Sequence, residues 1–287
     1  MLYFLLFFTQ LNASLTQVMS KDLTSAMHPA LILLIRGMIA SVFYLVWLGI
    51  FRRHKLFSIE KKDIPIVIFL GILSVPINQF MLKIALSLTS APNVSLIYSL
   101  IPVFVLIIAY YWLKEPVTWK KAVGISISLA GTFMLILEDG LDIASDSFTG
   151  NIIIVIASIS LAIYTVIGKP MARKYGAVYI TAIAMLTGYL IYLPVFFLLQ
   201  IDINLSAVET GHWLELIYLG IFSSCVGYII WYYALTKIDA GKVAVFNNLQ
   251  PFITTALAIL FLDFYLSIYF IFSGIIIIAG IALTQRG

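Results

Sequence analysis

Charged residues are scarce in this sequence. Only 10% of its 287 residues are Asp, Glu, Lys or Arg, whereas 62% are hydrophobic. Soluble domains have about a quarter charged residues and roughly half apolar ones. The mean hydropathy of +1.08 shows more apolar surface than one water-soluble core can hide. The composition therefore excludes a soluble globular domain and predicts a protein embedded in a lipid bilayer.

Cysteine is almost absent, and the usual catalytic motifs are missing. Cys225 is the single cysteine and lies in an apolar run, which excludes an internal disulfide. The sequence has no HExxH or GxSxG motif and no acid pair in the middle of an apolar run. Its basic residues are scattered between apolar runs rather than clustered. We therefore expect no enzyme activity, metal, cofactor or nucleic-acid partner.

Long apolar runs dominate what is present. A membrane-spanning helix needs about 20 mainly apolar residues, and the apolar runs between polar or Gly/Pro boundaries predict ten such spans. In chain order, spans 1 to 10 are 1–20, 30–51, 64–85, 92–113, 119–137, 150–169, 177–200, 213–235, 242–262 and 265–284. The first run has no positive n-region or clear cleavage site, so we interpret it as a helix rather than a signal peptide.

The distribution of charge predicts the orientation of these spans. Cytoplasmic loops are rich in Lys and Arg, and with a cytoplasmic N-terminus the inner connections contain 14 of the 17 basic residues. We expect Lys83, near the outer end of span 3, to extend to the interface. The pattern predicts a multi-pass protein of the bacterial cytoplasmic (inner) membrane, with both termini in the cytoplasm.

The chain also contains an internal repeat. At an offset of 149 residues, LGILS at 70–74 aligns with LGIFS at 219–223, and Pro102 aligns with Pro251. We therefore divide the chain into a first five-helix repeat, 1–137, an extracytoplasmic linker, 138–149, and a second five-helix repeat, 150–287. Because five is odd, the second repeat enters the membrane from the opposite side. Inverted repeats of this kind are typical of transporters that work by alternating access.

Several motifs resemble a known family. They are LLIRGMIA around Arg36, YSLIPVFVLIIAYYWLKEPVTW with Pro102 and Glu115, GISISLAG in span 5, and NNLQPFITTALAILFL with Pro251. In order and spacing they resemble the EamA-like branch of the drug/metabolite transporter superfamily. The resemblance implies secondary transport of small organic metabolites or drugs, often outward, through a cavity between spans 1, 3 and 4 and spans 6, 8 and 9. Span 1 lacks a carboxylate, so the proton coupling of the small four-helix pumps in this superfamily is not carried over.

Polar residues within the spans are the candidates for binding a substrate, because they are costly in lipid unless paired or wetted. The predicted substrate-binding residues are Asn12, Asn78, Gln79, Tyr98, Tyr164, Tyr228, Trp231, Asn247 and Asn248. Amide and aromatic groups suit neutral or zwitterionic amphiphiles such as amino acids or nucleosides. A polyanion would require several convergent Arg or Lys residues. The same polar groups equally fit the alternative that they only join helices.

Four further residues are assigned other roles. Arg36 and Glu115 are interpreted as structural or gating charges, with the structural role preferred for Arg36 because the resemblance places span 2 at the periphery of the cavity. Pro102 and Pro251 are predicted hinges, since each removes a backbone hydrogen bond.

Small residues in spans 5 and 10 indicate close packing, either within the chain or in a homodimer. An intramembrane enzyme and a polar-lined channel are the alternative functions. Exchange of preloaded substrate in proteoliposomes would distinguish a carrier from both.

Overall fold

The computed structural model describes residues 1–51, 59–113, 118–136, 145–201, 203, 205–206, 208–238 and 240–286. Within these ranges every regular element is helical. Glu115, residue 137 and residues 138–144 of the predicted linker lie outside the described residues.

Fourteen α-helices are present in the part of the chain that the structure describes. They are α1 (Leu2–Ala26), α2 (Pro29–Phe51), α3 (Ile64–Ile72), α4 (Phe80–Leu88), α5 (Ala91–Tyr98), α6 (Ile101–Leu113), α7 (Trp119–Ile136), α8 (Asp146–Tyr175), α9 (Ala177–Leu198), α10 (Thr210–Tyr218), α11 (Tyr228–Lys237), α12 (Ala240–Ala244), α13 (Gln250–Phe261) and α14 (Ile268–Gln285). Several form one continuous helical segment with a neighbour through a π-helical or 3-10 connection.

The length and composition of the helices are those of a multi-pass membrane protein. Seven helical segments of the described chain are long and apolar enough to cross a bilayer: Pro29–Ile50, Lys61–Leu88, Ala91–Trp112, Asp146–Tyr175, Ala177–Leu198, Thr210–Lys237 and Ala240–Phe261. Helix α1 is long but interrupted by polar residues, among them Gln10, Asn12 and Gln17, all buried. It therefore turns a polar face toward the interior of the bundle rather than toward lipid.

Two π-helical segments interrupt long helices at corresponding places in the two repeats. Leu73–Gln79 joins α3 to α4, and Leu219–Gly227 joins α10 to α11. The first contains Pro76, which cannot donate a helical hydrogen bond. A π-helix changes the angular position of the residues that follow it and often occurs at functional sites. The sequence analysis did not predict these segments.

Pro102 and Pro251 both lie where a helix restarts. Each is the second residue of its helix, α6 or α13. Residues 99 and 100 form a turn before α6, and the 3-10 helix Val245–Leu249 precedes α13. At this position the missing N–H of proline has no helical partner to lose. The two prolines thus mark equivalent helix breaks, and their hinge motion stays a prediction.

Helix α8 is longer than span 6 at both ends. Its N-terminus is capped by Ser145, whose hydroxyl accepts a hydrogen bond from the Phe148 amide. It ends at Gly176, which has φ of 90°. A residue with a side chain rarely adopts this backbone conformation, so glycine allows α9 to begin directly afterwards.

Glycines set the closest approaches between helices. A Cβ atom at Gly71 would lie 2.8 Å from the Ala184 carbonyl oxygen, so α3 and α9 meet almost backbone to backbone. In the same way, a Cβ at Gly280 would lie 2.5 Å from the Ser128 amide, between α14 and α7. These small faces of spans 5 and 10 therefore pack against each other within the chain. The homodimer predicted from them stays untested.

An ion-pair cluster joins the end of α8 to the start of α3. Lys174 Nζ lies 2.7 Å from Asp63 Oδ2 and 2.6 Å from Glu60 Oε1. The hydroxyl of Tyr175 also donates to Asp63. The hydrogen bond from Lys174 holds the pKa of Glu60 below its usual value. The cluster thus connects the two predicted repeats at the end of the bundle that carries basic loops.

Candidate functional site

A central cavity lies between helices of both predicted repeats. It is lined by Thr9, Gln10, Asn12, Ala13, Thr16, Gln17, Arg36, Asn78, Gln79, Leu82, Tyr98, Leu161, Ser223, Gly227, Tyr228, Trp231, Asn247 and Gln250. Amide, hydroxyl and aromatic side chains make up most of this wall. Both π-helical segments contribute to it, through Asn78 and Gln79 in one and Ser223 and Gly227 in the other.

Seven of the nine predicted substrate-binding residues lie in this wall. They are Asn12, Asn78, Gln79, Tyr98, Tyr228, Trp231 and Asn247. Helices distant in sequence meet here because the polar face of each is excluded from lipid. The location of these residues is compatible with binding and with joining helices, the two alternatives drawn from the sequence.

The structure does not place Tyr164 or Asn248 in the wall. The ring of Tyr164 stacks on Tyr232 at a centroid distance of 4.8 Å and meets Tyr228, which does line the cavity, edge to face at 6.0 Å. Asn248 directly follows Asn247 in a 3-10 helix, where successive side chains point about 120° apart. Counting polar residues along a helix does not resolve such angular differences.

Asn78 connects three groups across the cavity wall. Its Nδ2 donates to the Tyr98 hydroxyl at 2.9 Å and to the carbonyl oxygen of Ala157, also at 2.9 Å. The Tyr228 hydroxyl donates to Asn78 Oδ1 at 3.3 Å. One amide in the first repeat thereby positions a tyrosine from each repeat.

A network of amides joins α1 to α13. Gln250 Nε2 donates to Gln10 Oε1 at 2.7 Å and to Asn247 Oδ1 at 3.0 Å. Gln17 Nε2 donates to Gln250 Oε1 at 3.1 Å, and Thr254 donates to Gln17 Oε1 at 3.3 Å. The sequence analysis missed Gln10 and Gln17. Their seven-residue spacing, which places them on one helical face, is the signal that could have found them.

Other predicted residues hold backbone or neighbouring side chains. Asn12 Nδ2 donates to the Phe222 carbonyl at 2.9 Å, within the second π-helical segment. Gln79 Oε1 accepts from the Tyr189 hydroxyl at 3.3 Å. Trp231 Nε1 donates to the Thr165 hydroxyl at 3.2 Å. These side chains are fixed in position by neighbours while lining the cavity.

Arg36 reaches the cavity although its helix was expected at the periphery. Its side chain is 1% exposed and lines the cavity. Arg36 Nε donates to Ser224 Oγ at 2.8 Å and Nη2 donates to Ser223 Oγ at 3.0 Å. Nη1 has no hydrogen-bond partner among the residues that the structure describes. The long side chain carries a charge from α2 to the second π-helical segment.

Lys83 does not extend to the membrane interface, contrary to the sequence expectation. It is fully buried and donates a hydrogen bond to Ser20. Lys83 lies on the part of α4 that packs against α1, and this packing turns its side chain into the bundle. Among the described residues three basic side chains are therefore buried: Arg36, Lys83 and Lys169.

Comparison with known proteins identifies the family. The sequence matches the EamA-like transporter family over residues 1–137 and 148–286. The chain belongs to this family. The resemblance seen in its motifs is thus confirmed, and the protein is a multi-pass membrane transport protein.

Its relatives are named as transporters. An uncharacterized transporter of Archaeoglobus fulgidus is 30% identical over 79% of this chain and 78% of its own length. The uncharacterized transporter YcxC of Bacillus subtilis is 25% identical over 78% of this chain and 74% of its own. A protein of Streptantibioticus cattleyicolor is named "Probable terminal-alkyne amino-acid exporter". It is 22% identical over 78% of this chain and 74% of its own length.

A solved crystal structure has the same fold. It superposes with a TM-score of 0.72 and covers 98% of this chain and 95% of its own, at 18% sequence identity. At this identity the likeness describes the fold alone.

Proposed function

We propose that this EamA-family protein is a secondary active transporter that exports small organic metabolites by alternating access. The observation that carries the proposal is the central cavity, whose wall combines amide and aromatic side chains from both predicted repeats. Such a wall suits amphiphiles that are neutral or zwitterionic, amino acid-like or nucleoside-like. Export agrees with the name of the Streptantibioticus cattleyicolor relative.

The proposal includes ten membrane helices in two inverted repeats with both termini in the cytoplasm. Contacts between equivalent residues support it. Ser128 and the residue 149 positions later, Ile277, are in contact through a hydrogen bond of 3.3 Å from Ser128 Oγ to the Ile277 carbonyl. A residue meets its own equivalent only near the axis that relates two repeats.

Equivalent glycines support the same symmetry. Gly71 contacts α9 of the second repeat, and Gly220, its equivalent, contacts α2 of the first, where a Cβ would lie 2.6 Å from Ile39 Cγ2. Each repeat thus uses the same position to approach the second helix of the other.

Alternating access requires some contacts between the two repeats to break and others to form as the protein changes from one conformation to the other. The contacts that Gln250 and Asn78 make across the cavity are neutral hydrogen bonds. Within membranes such bonds contribute about 0.6 kcal/mol on average. Rocking of one repeat against the other therefore breaks weak bonds, and a bound substrate replaces them.

The test begins with a comparison of metabolite pools inside and outside cells with and without the protein. Counterflow in proteoliposomes with L-phenylalanine and uridine then follows. A carrier shows faster uptake when the same compound is preloaded, whereas a channel or an enzyme shows no such stimulation. Absence of stimulation with every compound enriched outside the cells would reject the proposal.

Gln79→Ala and Asn247→Ala are expected to lower counterflow at least about tenfold, because each removes a buried polar group from the cavity wall. The measurement is the initial rate per amount of folded protein. Asn93→Ala is the matched control: its amide donates to Thr89 on the outside of the cavity, and we expect its rate to equal that of the native protein. Unchanged rates in both wall variants would contradict the proposed site.

A further inference from the structure

Arg36 carries a buried positive charge for which the described bundle offers no negative partner. Its Nε and Nη2 donate to the hydroxyls of Ser224 and Ser223, which are neutral. None of the residues that line the cavity is acidic. Arginine stays protonated in proteins, and a charge at membrane depth is costly unless it is paired or wetted.

The geometry leaves one edge of the guanidinium available. The two serines fix the orientation of Arg36, while Nη1 is buried and makes no hydrogen bond to any described residue. A fixed guanidinium with unused N–H groups is a specific partner for a carboxylate, which accepts two parallel hydrogen bonds.

The wall has no equivalent group for a cation. The polar and aromatic groups that an ammonium group could contact in the cavity wall are amide oxygens, hydroxyls and the faces of Tyr98, Tyr228 and Trp231, and none of them is anionic. Aromatic faces attract cations only weakly, by about 0.5 to 2 kcal/mol. The one charged side chain of the site therefore discriminates for a negative group and not for a positive one.

We propose that Arg36 binds the carboxylate of the substrate and that the transported compounds carry one carboxylate, with or without an amino group. This inference rests on the proposed transport function and changes its substrate range: compounds without a negative group are excluded, and monocarboxylates without an amino group are included. A single cation in the wall matches a single carboxylate, not a compound with several negative charges.

The test uses matched sets of compounds in counterflow with the full chain in proteoliposomes. One set is L-phenylalanine, L-3-phenyllactate and L-phenylalaninamide, and the other is L-leucine, L-2-hydroxyisocaproate and L-leucinamide. We expect the amino acid and the hydroxy acid of at least one set to exchange, and its amide to exchange at least about tenfold more slowly because it lacks the anionic acceptor. Exchange of the amide at the rate of the acid would reject the inference and leave the transport function intact. Exchange of uridine with none of the six compounds exchanging would likewise reject the inference and leave the transport function intact. Absence of exchange with the six compounds, with uridine and with every compound enriched outside the cells would reject both.

Variants of Arg36 separate binding from a purely structural role. Arg36→Lys keeps the charge but loses the planar fork, so KM for the acid should rise about tenfold with little change in kcat. Arg36→Gln should abolish the preference for the acid over the amide. This ratio does not depend on the amount of folded protein. Arg173→Gln, at the exposed end of α8, is the control and should keep the native ratio.

The proposal would be overturned if the ratio of the exchange rate of the acid to that of its amide were the same in Arg36→Lys and Arg36→Gln as in the native protein. If Arg36→Gln fails to fold, Arg36→Lys alone decides, because a structural role predicts lower thermal stability with an unchanged ratio and unchanged KM.

Discussion

Replacing Gly188 by alanine is expected to lower the stability of the protein by about 1–3 kcal/mol or more. A Cβ at this position would lie 2.5 Å from the Gly71 carbonyl oxygen and 2.7 Å from Val75 Cγ2. The carbonyl belongs to the backbone and cannot rotate away, so α9 and α3 would have to separate. Val75→Ala should relieve only part of the effect, because the carbonyl contact remains.

Thermal denaturation in detergent measures this effect. Cys225 is the only cysteine and is fully buried, so a thiol-reactive dye labels it as the protein unfolds. Gly274→Ala is the matched control, since a Cβ there would meet only Leu96 Cδ1 at 3.8 Å, an ordinary contact distance. Equal midpoint temperatures for the two variants would show that the approach of α3 to α9 does not limit stability.

Replacing Gln250 by leucine is expected to cost about 2–4 kcal/mol of stability and most of the transport rate. Gln250 is 4% exposed and bonds to Gln10, Gln17 and Asn247. Leucine leaves three polar side chains without their shared partner in the cavity wall. The measurements are the midpoint of Cys225 labelling and the counterflow rate per folded protein.

Thr255→Val on the same helix provides the control. The hydroxyl of Thr255 is buried and has no partner among the described residues, so the substitution should be neutral or slightly stabilising. A double variant, Gln17→Leu with Gln250→Leu, should lose less than the sum of the single losses because the two residues share a hydrogen bond. Additive losses would mean that this bond contributes nothing.

Both expectations concern places where the two predicted repeats meet. At Gly188 the contact is a close approach of two backbones, and at Gln250 it is a set of exchangeable hydrogen bonds. The proposed rocking of one repeat against the other requires contacts of the second kind, weak bonds that break along the cavity.

The membrane helices could be predicted from the sequence because they depend on local composition. Apolar runs of about 20 residues indicate spans in any protein, and the runs at 30–51, 64–85 and 92–113 correspond to Pro29–Ile50, Lys61–Leu88 and Ala91–Trp112. Family membership was likewise predictable, since the motifs around Arg36, Pro102 and Pro251 are read directly from the chain.

The cavity wall could be predicted only in part. A polar residue in an apolar run must face the interior, which pointed to Asn78, Gln79 and Asn247. Adjacent side chains of a helix point in different directions, so the rotation of the helix decides which of two neighbouring polar residues faces the cavity. Asn247 lines it and Asn248, about 120° further round the 3-10 helix, does not.

Sequence by itself determined the class of protein and the family, because these follow from composition and from patterns along the chain. Only the tertiary structure decided that Arg36 reaches the cavity, that Lys83 is buried and that Gln10 and Gln17 meet Gln250. These contacts join residues that are far apart in sequence. They depend on helix rotation, on the two π-helical segments and on glycine contacts, none of which a hydropathy pattern records.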